Sequence, residues 1–65
     1  MRRRGNAMTE QQARHWAEAT RAACKAAAQT AFEEASMLGL CQEGAIEAAL
    51  SAIELVDVNE VRAEP

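Results

Sequence analysis

The sequence predicts an all-α fold: a two-helix antiparallel hairpin that dimerises into a four-helix bundle. Three observations carry this expectation. The stretch from Thr9 to Leu38 holds ten alanines and neither Gly nor Pro. Gly39 interrupts it, and a shorter segment of helical periodicity follows. Lastly, a chain of 65 residues whose contact face is mostly alanine buries too little apolar area to offset its chain entropy alone. Chains of this size are reinforced by disulfides, a metal or oligomerisation. Cys24 and Cys41 are too few for a disulfide framework. Cys24 also lies ~22 Å along the helix from Gly39, beyond the ~7 Å Cα limit for a bridge to the corner. Both are therefore read as free thiols in a reducing compartment, and oligomerisation is the reinforcement that remains.

Residues 1–8 read as a disordered basic arm, carrying Arg2, Arg3 and Arg4 with Gly5 and Asn6. The formal net charge is −3. Met8 offers a second plausible start, and from there four basic residues face ten acidic ones, a net of −6. The body is acidic on either count. An acidic body argues against nucleic acid as the main partner and for a basic protein surface. No apolar run approaches the ~18 residues that span a bilayer, and no signal-peptide core is present, so the expected location is cytoplasmic.

The hairpin is expected over residues 9–56, with a helix at 9–38, a turn at 39–41 and a helix at 42–55. Thr9 followed by Gln12 forms a capping box, in which each side chain satisfies the other residue's free backbone N–H. Glu10 complements the positive end of the helix dipole. At 100° per residue, Ala13, Trp16, Thr20, Ala23, Cys24, Ala27, Ala31, Ala35 and Leu38 share one stripe, read as the hairpin or dimer core. Small side chains along it let two backbones approach closely. Gly39 suits the C′ position, which needs φ > 0. Leu40 then packs on the end of the first helix or staples onto the second. In the second helix Ile46, Ala49, Leu50, Ile53 and Val56 form the apolar stripe, with Glu43, Glu47 and Glu54 outside. Gly44 costs this helix ~1 kcal/mol relative to Ala, and close backbone approach at the corner would explain it. The tail 57–65 alternates Val58 and Val61 with polar residues, as a frayed turn or an extended segment.

Few residues suggest chemistry. His15 and Glu18 make an i, i+3 pair that supplies at most one edge of a metal site, with no third ligand nearby, so His15 is read as solvated surface. Cys41 has no His or Asp partner close in sequence, so it is not read as a nucleophile. With one His, no Tyr and no Gly-rich loop, the sequence points to a protein that is not an enzyme and needs no cofactor or metal. The surface is more informative. Arg14, Arg21 and Lys25 form a short basic ridge suited to an acidic patch on a partner protein. Phe32 lies beside that ridge, roughly 120° round the helix from the alanine stripe. A Phe there marks a contact surface, to a second copy or to a foreign protein. Trp16 is read as filling the open end of the bundle against Val56 or Val58.

The span 9–56 resembles the small helical-hairpin proteins of temperate phages, of the anti-quorum-sensing type. The likeness lies in length, alanine content and plan. It is carried by Thr9-Glu10-Gln11-Gln12-Ala13 through Gly39-Leu40-Cys41-Gln42-Glu43-Gly44. The resemblance implies a homodimer that inhibits a host transcriptional activator by direct binding, and it assigns no functional residue. Two other functions compete with this one: a structural or assembly subunit that mainly self-associates, and a DNA-binding accessory protein that uses the Arg2–Arg4 arm.

Overall fold

The computed structural model describes residues 8–62, so the Arg2–Arg4 arm and Pro65 lie outside the described residues. Two helices, α1 (Glu10–Met37) and α2 (Gln42–Glu54), pack against each other as a hairpin, and no strand occurs among the described residues. The molecule is long and thin, with extents of 55 × 22 × 15 Å.

Local chemistry sets each helix end. The Thr9 hydroxyl accepts from the Gln12 N–H at 3.0 Å, and the Gln12 Oε1 accepts from the Thr9 N–H at 3.0 Å. Both halves of the expected capping box are thus made. At the other end Leu38 is the C-cap and Gly39 takes φ +91°. The Gly39 N–H donates to the Ser36 carbonyl and the Leu40 N–H to the Ala35 carbonyl, each at 3.0 Å. These two crossed bonds form a Schellman motif, which satisfies carbonyls that the helix end would leave free.

Beyond the corner, Cys41 N-caps α2 with an extended backbone but without a side-chain hydrogen bond. Leu40 staples onto α2. A Cβ built on Gly44 would meet its Cδ2 at 3.4 Å and its Cβ and Cγ at 3.6 Å. That overturns the expected reason for Gly44. Its nearest neighbour is the flexible side chain of Leu40, not the backbone of α1.

The interior is made of alanine. Ala35 and Ala45 are the buried residues of the described chain, and they lie on either side of the corner. Along α1, Ala19, Ala23, Ala27 and Ala31 are half-buried and lead to Ala35, an unbroken i, i+4 row. The seam thus follows an i±4 ridge, which slides about 40° round the helix per step, instead of a straight stripe. This drift accounts for two differences from the expected stripe: Ala13 is exposed, and Leu38 is 80% exposed on the single hairpin. Trp16, Thr20 and Cys24 are half-buried as expected of a seam. The Thr20 hydroxyl donates to the Trp16 carbonyl at 2.9 Å and so stays satisfied within the helix.

In α2 the inward face is Gly44, Ala45, Ala48, Ala49 and Ala52. Ile46, Leu50 and Ile53, expected in the hairpin or dimer core, point away from α1 and are 43%, 58% and 36% exposed. The reason is steric: an alanine ridge admits a second helix most closely when that helix also presents alanine. After α2 the tail folds into a turn. The Asp57 carboxylate accepts from the Asn59 N–H at 3.0 Å, and the Asp57 carbonyl accepts from the Glu60 N–H at 2.9 Å.

Candidate functional site

The rotation of α2 leaves one side of the hairpin apolar. Ile46, Leu50 and Ile53 recur at spacings of four and three, so they share one facet, roughly 110° round α2 from its alanine seam. On α1, Phe32 is displaced from the seam in the same rotational sense and is 36% exposed. The two helices run in opposite directions, so equal rotations bring both facets to the same side of the hairpin. Phe32 therefore joins the α2 facet in one surface, a grouping that the sequence stripe had divided between core and surface.

This face has charged edges of opposite sign. Arg14, Arg21 and Lys25 are all exposed along the outer edge of α1, where Glu18 and, nearer the corner, Glu33 also lie. Glu43, Glu47 and Glu54 are exposed along the outer edge of α2, opposite its seam. The predicted basic ridge is thus present as a solvent-facing edge. Its position explains why Phe32 stood out on a polar side: Phe32 sits where the ridge meets the apolar face.

Large apolar side chains lie on the outside elsewhere as well, among them Met37 and Leu55 at 82% each.

The other predicted residues stay apart. Gln11, Arg14, His15 and Glu18 line a shallow cleft of about 140 Å³, but all four belong to α1, so among the described residues no second element lines it. Among the described residues, no group of three or more His, Cys, Asp or Glu is placed to hold a metal ion. Both thiols are free, Cys24 half-buried in the seam and Cys41 exposed at the corner. No helix of the described residues is long and apolar enough to cross a membrane. In comparisons with known proteins, no family model, no curated protein and no solved structure matches the chain.

Proposed function

We propose that this protein is a non-enzymatic, homodimerising hairpin that binds another protein in the cytoplasm. In this reading it is a small inhibitor or regulator whose target is a host transcriptional activator, as the phage resemblance implies. The observation that carries the self-association is the exposed face of Phe32, Ile46, Leu50 and Ile53 on a chain whose own interior is alanine. Large apolar side chains gathered on one side of a small soluble fold mark a contact surface. The exposed Arg14 and Arg21 lie further from the corner than α2 extends, so they remain available to an acidic patch on the target.

A second reading, an assembly subunit whose partner is mainly itself, draws on the opposite charges of the two edges. One experiment separates the readings. Affinity capture from a bacterial lysate, read by mass spectrometry, is run with the wild-type chain and with Arg21→Glu. The regulator reading expects a host transcription factor captured by the wild type and lost with Arg21→Glu, while both baits keep the same helical circular dichroism. Recovery of nothing but further copies of the bait, from a lysate shown to contain such regulators, would favour the assembly subunit.

A further inference from the structure

The self-association proposed above leaves open which surfaces meet and in what orientation. We infer that two copies join through the face of Phe32, Ile46, Leu50 and Ile53, about a two-fold axis parallel to the helices. The corners then lie at the same end, and α1 of each copy runs antiparallel to α2 of the other.

Three observations select a second copy as the occupant. First, the face is apolar in the middle, with Phe32, Ile46, Leu50 and Ile53 between 36% and 58% exposed on the single hairpin. Second, its edges are complementary at one level: Lys25 on α1 and Glu54 on α2 are opposite in sign and within reach, while Glu33 on the same α1 edge lies level with Glu47. A two-fold axis makes each copy present both edges, so every favourable pair occurs twice. Third, the heights match. Lys25 lies thirteen residues before the cap Leu38, and Glu54 lies thirteen residues after the cap Cys41. At 1.5 Å per residue both are ~20 Å from the corner. An axis parallel to the helices preserves height, so Lys25 of one copy meets Glu54 of the other.

The competing face-to-face arrangement turns the second copy end over end. It stacks α1 on α1 and α2 on α2 about the middle of the apolar face, which sets the glutamate edges of the two α2 helices against each other and takes Lys25 to the partner's corner. Like charges at such range repel, and the arrangement gains nothing from the edges. Arg21 lies beyond the reach of α2 in the favoured arrangement, so the dimer leaves it free for a target.

Sedimentation equilibrium of the intact chain tests the face and the orientation together, over protein concentrations up to about 100 μM. The wild type is expected to be a dimer. Leu50→Glu, at a position 58% exposed on the single hairpin, is expected to weaken association at least about hundredfold. Lys25→Glu and Glu54→Lys should each weaken it about two- to fivefold, and the chain carrying both should return to within about twofold of wild type. The charge series is readable even if Leu50→Glu loses helicity, because both charged residues are exposed. A wild-type monomer throughout would overturn this inference and the self-association reading with it. A wild-type dimer unaffected by Leu50→Glu would overturn the face alone and leave self-association standing. Tighter association of Lys25→Glu, or no recovery in the double variant, would overturn the orientation.

Discussion

The two ends of the hairpin are held by different means. At the corner, three side chains and the backbone bonds around them settle everything: Gly39 turns, Leu40 covers Gly44, and Ala35 and Ala45 are buried. At the open end, α1 is exposed from Glu10 to His15, and the tail closes on its own Asp57 turn. The structure is thus tight where the chain reverses and loose where its ends lie. Small side chains can hold two helices only where another constraint already brings them together.

Five substitutions test that contrast, each read by thermal unfolding at one fixed protein concentration, since self-association stabilises by mass action. The largest effect is expected at the buried corner: Ala45→Leu should cost about 3 kcal/mol or more through overpacking. The same change at exposed Ala13 should stay within about 0.5 kcal/mol. Equal costs at the two alanines would remove the distinction between the ends.

Gly39→Ala should cost about 1–2 kcal/mol. No atom lies within 4 Å of the added Cβ, so the penalty is that of φ +91° for an L-residue. A neutral result would mean that the turn relaxes to another conformation. In the opposite direction, Cys41→Ser should stabilise by about 1 kcal/mol. The cap backbone is already extended, and a hydroxyl supplies the acceptor that is missing at present. The smallest gain is expected for Gly44→Ala, about 0.5–1 kcal/mol from helix propensity, with the new methyl in ordinary contact with Leu40. Destabilisation there would show that Leu40 cannot yield and that the corner is tighter than its distances imply.

Much of the plan was legible in the sequence because it rests on local chemistry. Thr9 with Gln12 marked the start of α1, and Gly39 marked its end, since capping and positive φ are requirements of neighbouring residues only. The direction in which α2 faces was not legible. Its alanines at 45, 48, 49 and 52 and its large residues at 46, 50 and 53 both have helical spacing, so periodicity alone cannot rank them. Hydrophobicity favours the larger set, but the match to an alanine ridge on α1 decides for the smaller. The slide of that ridge was hidden for a related reason: a wheel at constant angle draws every seam straight, and so Leu38 was placed on the seam. The tail turn had a usable signal in Asp57 and Asn59, a pair suited to a side-chain-mediated turn. The grouping of Phe32 with Ile46, Leu50 and Ile53 depends on how two helices are rotated relative to each other, which single-helix patterns do not encode.

The alanine ladder has a further consequence. Ala19, Ala23, Ala27, Ala31 and Ala35 repeat at one interval, so sliding α2 along α1 by four residues, about 6 Å, would exchange one alanine for another at most points of contact. Such an interior is nearly indifferent to register. What forbids the slip is the short linker from Leu38 to Cys41, which acts as the pin of a vernier scale. Lengthening that linker by a few glycines would change no contact in the seam, yet it would let one sequence occupy several aligned states.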